Sequence, residues 1–376
     1  MLRWLTVFII LCQVCAAQAR VRLVVDLKKT FGYERADKFG DERKRWKAAH
    51  GAIFLSNNAL LVYQVHQTQH SKNGPPEAFY VQLNLIDAQD GHEVRKLRVP
   101  AVEPRAFAAA THDGGFLLAT GNTLHAFSAQ LEKKASKAFT LVGGKVPEDW
   151  EMSVTPSASA VVLVHHHVSR ESKGGGASAG LSGLQGEVEL LNADDLAPMK
   201  SLTVTRLHGW SAGEDFILTK DPRTAADSRG FGVLEWSGQW TPLHTAVEKT
   251  DCYFVMHAIQ GDRVAAFDCD ELAVVSRSGK AIFSFPAAGA DLVTSIASQG
   301  DYLAAAFFSI DEFRDALDNE FGNKLRGEYI TLFDLRNKVA RFRVHAEELG
   351  ISYSVSSDGA LAVVDGTRLK IFERKE

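Results

Sequence analysis

The sequence predicts an all-β fold, a seven-bladed β-propeller that an N-terminal strand closes. Two observations predict it. A unit of apolar runs separated by polar turns recurs seven times along the 376 residues, and the first and last strand-like segments each lack the partner that the other would supply. Long helical periodicity is largely absent, and 45% of the residues are hydrophobic, which is enough for a substantial core.

Each unit contains a polar turn that leads into an apolar run. The turns fall at 56–58, 112–115, 157–159, 212–215, 260–262, 299–301 and 357–359, and the runs after them begin at Leu60, Phe116, Val161, Phe216, Val264, Leu303 and Leu361. The loop after the run is tight in three units and long in four. Without the long loops the unit is about 40 residues, the length of a four-stranded blade.

Further strands complete each unit and the ring. A third strand follows, such as "EVELLNADD", and many units reach a fourth, such as "ARFRV". Strands that are apolar on both faces are expected where a sheet packs between two neighbouring sheets. The seventh unit stops after its third strand, whereas "VRLVVDL" at 21–27 precedes the first unit. An N-terminal strand that completes the last blade would remove the open edges of the ring.

Two stretches carry a family resemblance. "LNLIDAQDGHEVRKLRV" (83–99) and "ITLFDLRNKVARFRV" (330–344) resemble repeats of the quinoprotein-like, YVTN-type and WD40-like propellers, in which an apolar strand, an Asp, a polar turn and another apolar strand follow one another. The resemblance implies a propeller over nearly the whole chain. No blade has the Trp-Asp ending of true WD40 repeats, so the resemblance carries no activity to particular residues.

The long loop of the sixth unit predicts a short helical insert. Ser309 and Glu312 have the spacing of a capping box, and Gly322 is placed to end the helix. The apolar residues at helical spacing are Ile310, Phe313, Leu317 and Phe321. Such a helix either packs on its own blade or serves as a lid or a surface for a partner.

The first 19 residues have the order of a secretory signal peptide. Arg3 precedes a short apolar run, and small residues end in Ala17-Gln18-Ala19. The run is shorter than the roughly 20 residues that a membrane span needs. We therefore expect residues 1–19 to be removed and residues 20–376 to form one exported domain, secreted or periplasmic, without a membrane span.

Charge and cysteine content narrow the partners and the compartment. The net charge of −4 and the scattered Lys and Arg residues give no basic face for nucleic acid. Cys252 and Cys269 would remain in the mature chain. If Gln260-Gly261 centres the turn between them, the two thiols face each other across a hairpin, and a disulfide is predicted. Free buried cysteines are the alternative. We expect a monomer with a protein or small-molecule partner.

Polar and aromatic residues near the predicted ends of strands are candidates for a ligand site. In propellers of this kind the long loops and the entries to the innermost strands share one face, around the central channel. The candidates on this rim are His50, His66, Trp150, His165, His167, His208 and Trp210. Strand alternation places His165 and His167 on one face and His166 on the other. Adjacent strand residues cannot all reach one zinc ion, so polar strand-end histidines are favoured over a metal site.

Two functional hypotheses remain open. The sequence has no H-E-x-x-H and no phosphate loop, and we assign it no catalytic residue and no cofactor. The first hypothesis is a ligand- or protein-binding scaffold. The second is a propeller enzyme, similar to a lactonase, another hydrolase or an oxidoreductase, with its site at the channel on the long-loop face. An enzyme would bring several ionisable groups with perturbed pKa values together at the channel.

Overall fold

A computed structural model describes residues 19–33, 50–67, 79–102, 105–138, 149–168, 184–204, 207, 209–221, 231–243, 255–268, 271–286, 291–309, 328–347 and 351–375. These residues form seven four-stranded antiparallel sheets. Each sheet is one blade, and the predicted seven-bladed propeller is confirmed. The predicted helical insert and the greater part of the long loops lie outside the described residues.

The strands follow the chain from the innermost to the outermost position of each blade. Blade 1 contains β2 (His50–Ser56), β3 (Ala59–Gln67), β4 (Phe79–Asp87) and β5 (Glu93–Ala101). Blade 2 contains β6 (Ala106–Ala110), β7 (Phe116–Thr120), β8 (Thr123–Phe127) and β9 (Lys133–Ala138). Blade 3 contains β10 (Asp149–Val154), β11 (Ala160–Val168), β12 (Leu184–Asn192) and β13 (Pro198–Val204). Blade 4 contains β14 (Ser211–Ala212), β15 (Phe216–Lys220), β16 (Phe231–Glu235) and β17 (Trp240–Pro242).

The remaining blades repeat this order, except that the outermost strand of blade 7 comes from the N-terminal segment. Blade 5 contains β18 (Val255–Ile259), β19 (Arg263–Asp268), β20 (Glu271–Ser276) and β21 (Ala281–Pro286). Blade 6 contains β22 (Asp291–Gln299), β23 (Tyr302–Ser309), β24 (Glu328–Asp334) and β25 (Val339–Ala346). Blade 7 contains β26 (Ser352–Val355), β27 (Leu361–Asp365), β28 (Arg368–Arg374) and β1 (Ala19–Asp26).

Strand alternation distributes the core between neighbouring blades. In β11, Val161 and Leu163 pack toward blade 2, whereas Val162 and Val164 pack toward blade 4. Both faces of a middle strand are therefore buried, which explains why these strands are continuous apolar runs in the sequence.

The N-terminal strand closes the ring as predicted, and a short helix follows it. β1 pairs antiparallel with β28, with Val25 opposite Leu369. The sequence predicts a strand through residue 27, but the chain turns into α1 (Leu27–Phe31) because the Asp26 side chain accepts a hydrogen bond from the Lys29 N–H at 3.0 Å. Gly32, with φ 73°, ends the helix in the left-handed conformation.

Tyr33 fastens the segment after α1 to blade 1. It is buried, and its hydroxyl lies 3.0 Å from both the Val62 carbonyl oxygen and Asn84 Oδ1. Gln82 Nε2 donates to the Phe31 carbonyl oxygen at 2.9 Å. The segment therefore joins blade 7 to blade 1.

Polar contacts connect neighbouring blades at one end of the ring. We call this end the turn face, because it holds the turns between the first and second strands of the blades, and we call the opposite end, where the second strands end, the loop face. The contacts, in order around the ring, are Arg95 with Glu132, Lys134 with Asp194, Ser157 with Glu214, Arg277 with Asp215, Arg263 with Asp301, Arg341 with the Asp358 carbonyl, and Ser357 with Asn57. Each exposed pair contributes little to the stability of the fold by itself. Together, the contacts connect every pair of neighbouring blades.

Candidate functional site

The innermost strands surround a cavity in the central channel. Its volume is about 260 Å³, and residues from six of the seven blades line it. The lining includes Pro156 and Ala158 from the turn after β10, and Gln299 at the end of β22. The cavity therefore lies toward the turn face, whereas the sequence-based candidates were placed at the loop face.

The lining of the cavity is apolar with several hydroxyl groups. Phe107 of β6 is 42% exposed, and Ile53, Met152 and Ile296 lie on other blades. The polar side chains of the lining are Ser153, Thr155, His257, Ser298, Gln299, Tyr353 and Ser354. Among the described lining residues there is no Asp, Glu, Lys or Arg.

His257 of β18 connects three blades across this lining. Its Nδ1 lies 3.2 Å from Ser211 Oγ of blade 4, and its Nε2 lies 3.5 Å from Ser298 Oγ of blade 6. Ser211 Oγ also accepts a hydrogen bond from the Ala258 N–H at 3.1 Å. Burial lowers the pKa of His257 to about 4, so the imidazole is neutral at physiological pH.

The neutral state of His257 predicts acid sensitivity. An unfolded histidine titrates near pH 6.5, so between pH 6.5 and 4 the unfolded chain binds the proton more strongly than the folded chain. The contribution of neutral His257 to the free energy of unfolding is fully present above pH 6.5. It falls by about 1–3 kcal/mol as the pH drops through this window. Urea unfolding at pH 7.0 and 4.5 would measure the loss. The His257→Gln variant, which cannot titrate there, should lose correspondingly less, and an equal loss in both proteins would contradict the prediction.

Blade 7 contributes two further hydroxyl groups, which join it to its neighbours. Ser295 Oγ donates to the Tyr353 hydroxyl oxygen at 3.0 Å, and burial raises the pKa of Tyr353 far above its ordinary value. Ser354 Oγ accepts a hydrogen bond from the Phe54 N–H at 3.1 Å. The innermost strands of blades 6, 7 and 1 are thus held together beside the cavity.

The predicted rim residues of blade 1 lie on two different strands. His50 pairs with Gln64 at the start of β2. The His66 ring stacks on the Tyr80 ring, with 5.1 Å between ring centroids and an interplanar angle of 11°. The Arg98 guanidinium lies over the Tyr80 ring, 4.9 Å from its centroid. His66 therefore belongs to an aromatic stack along the blade.

Trp150 and His165 are brought together in blade 3. They are register partners in β10 and β11, and both are buried. His165 Nε2 lies 3.7 Å from Glu189 Oε2, and Lys137 Nζ lies 3.0 Å from Glu189 Oε1. The neighbouring His165 and Lys137 side chains lower the pKa of Glu189 to about 2. This group is an ion-paired junction between blades 2 and 3.

Trp210 lies at the next junction, and two other candidates fall outside the description. Trp210 Nε1 donates to Glu151 Oε2 at 2.5 Å, which joins blade 4 to blade 3. The backbone of His167 pairs with Gln185; its side chain and the whole of His208 lie outside the described residues. The ligand-binding role of the rim residues stays a prediction.

Two groups of potential metal-ligating side chains lie close together among the described residues, and neither contains a predicted rim histidine. Asp87, Asp90 and His92 form one group in the described chain, and His112, Asp113 and Asp194 form the other. In the second group Lys134 Nζ contacts both carboxylates, at 2.9 and 3.0 Å. A lysine therefore already pairs with both acids and offsets one of their two negative charges.

The hairpin on which the disulfide prediction depends has a different register. Val255 pairs with Phe267 and Ile259 with Arg263, so the loop contains the three residues from Gln260 to Asp262. The turn predicted at 260–262 is confirmed, but it is centred on Gly261 and not on Gln260-Gly261, so the described register does not support a pairing of position 252 with position 269. Cys252 and Cys269 lie outside the described residues, and their bond stays a prediction without that support.

Sequence reasoning missed Phe107, His257 and Ser298, which line the cavity. They lie on innermost strands of three blades, in "AFAAA", "VMHAI" and "DLVTSIASQ". The run of alanines around Phe107 is the one usable signal, because small residues on an innermost strand leave space beside the channel axis.

Comparison with known proteins shows similarity of fold. No protein-family model matches the chain, and no curated protein matches it. The chain is similar to an acylaminoacyl peptidase from Pyrococcus horikoshii, with 10% identity and a TM-score of 0.54, over 84% of this chain and 49% of that one. It therefore spans about half the length of that peptidase.

Further solved structures are similar at lower scores. BamB from Moraxella catarrhalis has 11% identity and a TM-score of 0.36, over 81% of this chain and 83% of that one. The Pan2 WD40 domain from Neurospora crassa has 9% identity and a TM-score of 0.36, over 96% and 97%. No helix in the described segments has the length and hydropathy to cross a membrane. The sheets and the peptidase similarity together identify the chain as a seven-bladed β-propeller.

Proposed function

We propose that this protein is an exported binding propeller that holds an uncharged ligand in its central channel and catalyses no reaction of its own. The observation that carries the proposal is the composition of the cavity lining. The partly exposed Phe107 lies there among hydroxyl groups and small side chains. The described lining residues include no Asp, Glu, Lys or Arg. Transfer of an ion into such surroundings without a counter-charge is costly.

The size of the cavity suggests a small ligand, or one group of a larger one. Pockets for small molecules usually measure about 300–1,000 Å³, and this cavity is slightly smaller. A cavity of this size accommodates an aromatic ring with a short polar substituent. An apolar ring would contact Phe107 and displace water from it.

The chemistry of the lining favours binding over the alternative, a propeller hydrolase or oxidoreductase. A serine hydrolase needs a histidine that a carboxylate orients and stabilises when charged. Gly209-Trp210-Ser211-Ala212-Gly213 has the letters of the G-x-S-x-G motif, but Ser211 is buried on β14, which leads into another strand, whereas the motif serine of a hydrolase is exposed at a strand-to-helix turn. The described partners of His257 are the hydroxyl groups of Ser211 and Ser298, and neither is a carboxylate. The other ionisable group of the described lining, Tyr353, is held neutral by burial.

A neutral aromatic probe tests the binding site. Toluene should bind saturably in NMR titrations, and Phe107→Ala should weaken it about fivefold, because about 1 kcal/mol of apolar contact is lost. Met199→Ala is the matched control, since Met199 is also exposed but lies on the outermost strand of blade 3. Absence of saturable binding, or equal effects of the two variants, would refute the proposal.

Export is a separate part of the proposal. Cleavage after Ala19 would keep the Arg20 side chain in its ion pair with Glu373. We expect N-terminal sequencing of protein purified from its native host to begin at Arg20, and fractionation to find it outside the cytoplasm. A mature chain that retains Met1 would contradict export by this signal.

A further inference from the structure

The channel cavity has one end suited to hydrogen bonding, around His257. We propose that Ser298 donates a hydrogen bond to the ligand, and that the ligand therefore carries an uncharged acceptor oxygen, such as an amide or ester carbonyl, beside its apolar group. This inference rests on the proposed function and names the ligand class for the same site.

The proposal follows from a count of protons. Ser211, neutral His257 and Ser298 carry three polar hydrogens in their side chains, namely two O–H and one N–H. The contacts from Ser211 to His257 and from His257 to Ser298 use one hydrogen each. One hydroxyl hydrogen is left over, whichever tautomer the imidazole adopts.

Burial decides which hydroxyl group holds the spare hydrogen. Ser211 is 3% exposed and is not part of the cavity lining, so an unused O–H at this position would be buried without an acceptor, at a cost of about 1–3 kcal/mol. Ser211 therefore donates to Nδ1 while it accepts from the Ala258 N–H. Nε2–H then points to Ser298 Oγ, and the Ser298 O–H is free to donate into the cavity, which Ser298 lines.

A neutral acceptor fits this donor better than an anion. The described lining offers a carboxylate no cation, and His257 is neutral, so a charged ligand would lose its hydration without compensation. A carbonyl oxygen needs one donor and loses much less on leaving water. Phe107 lines the same cavity and supplies apolar contact for the rest of the molecule.

Three probes of similar shape test the ligand class: benzamide, toluene and benzoate. We expect the wild-type protein to bind benzamide three- to tenfold more tightly than toluene, the gain expected from one net hydrogen bond, and to bind benzoate more weakly than benzamide at pH 7. Ser298→Ala should remove the benzamide advantage and leave toluene binding within twofold. Ser278→Ala is the control variant, because Ser278 lies in the exposed turn between β20 and β21, outside the lining, and should leave the ratio unchanged. Ser354→Ala removes another hydroxyl group of the lining and tests it as the alternative donor.

The outcomes separate this inference from the proposed function. If toluene binds but benzamide has no advantage, or if Ser354→Ala removes the advantage and Ser298→Ala does not, the assignment to Ser298 is overturned and the binding site stands. Tighter binding of benzoate than of benzamide overturns the neutral-ligand class. If none of the probes binds saturably, the proposed function is overturned, and the inference falls with it.

Discussion

A chain that begins at residue 34, and so lacks β1 and α1, should fail to form a stable propeller. The missing segment contributes Val25, Leu27, Phe31 and Tyr33 to the core between blades 7 and 1. At about 1.5–3 kcal/mol for each buried side chain, the loss is about 6–12 kcal/mol, comparable to the whole stability of a typical domain. Circular dichroism melting and size-exclusion chromatography would detect the loss of the cooperative transition.

Two point variants in β1 provide the matched test. Val25 is 7% exposed and Val24 is 56% exposed, although they are adjacent in one strand. Val25→Asp buries an unpaired carboxylate and should lower the melting temperature sharply, whereas Val24→Asp should change it little. If the truncated chain melts like the full chain, or if both point variants are equally mild, then the N-terminal strand does not hold the ring closed.

Replacement of Phe116 by alanine should destabilise the protein by about 3–5 kcal/mol. Phe116 is fully buried between blades 1 and 2 and stacks on Phe127, with 4.9 Å between ring centroids. Its removal leaves a cavity that the surrounding strands cannot refill without breaking their ladders. Urea denaturation would measure the change in the free energy of unfolding.

Phe107→Ala in the same blade is the control for Phe116→Ala. The Phe107 side chain is 42% exposed in the channel, so its loss should cost less than about 1 kcal/mol of stability. Phe107→Ala should thus weaken toluene binding and keep the fold, whereas Phe116→Ala should lose stability. Equal destabilisation by the two substitutions would mean that Phe107 belongs to the packed core.

The fold was predictable because local signals mark the blades. All seven predicted turns lie at turns between the first and second strands, and the unpaired segments at the two ends of the repeat indicated closure. The register of the hairpin from β18 to β19 was not predictable. Gly261 and Asp262 both have positive φ, and a sequence does not show whether two or three residues form such a turn.

The site was less predictable, because it depends on where the innermost strands converge. His257 and Ser298 are polar residues in short strands, and no spacing links them to each other or to Phe107. Strand alternation assigns a side chain to a face of its own blade, but it does not show which residues from other blades meet at the axis. The histidines that stood out in the sequence lie on second strands, as His66 and His165 do, where they contact Tyr80 and Glu189 of their own blades.

The pairing of β1 with β28 also determines when the ring can close during folding. Arg20 and Glu373, which bond to each other, are 353 positions apart, whereas blades 1 to 6 are each built from one continuous segment. During synthesis the N-terminal strand emerges first and has no partner until the last strand follows. Its backbone cannot pair with β28 until then, and an unpaired strand edge is prone to aggregation. Completion of the ring is therefore a late and slow event, because the contact that seals it spans almost the whole chain.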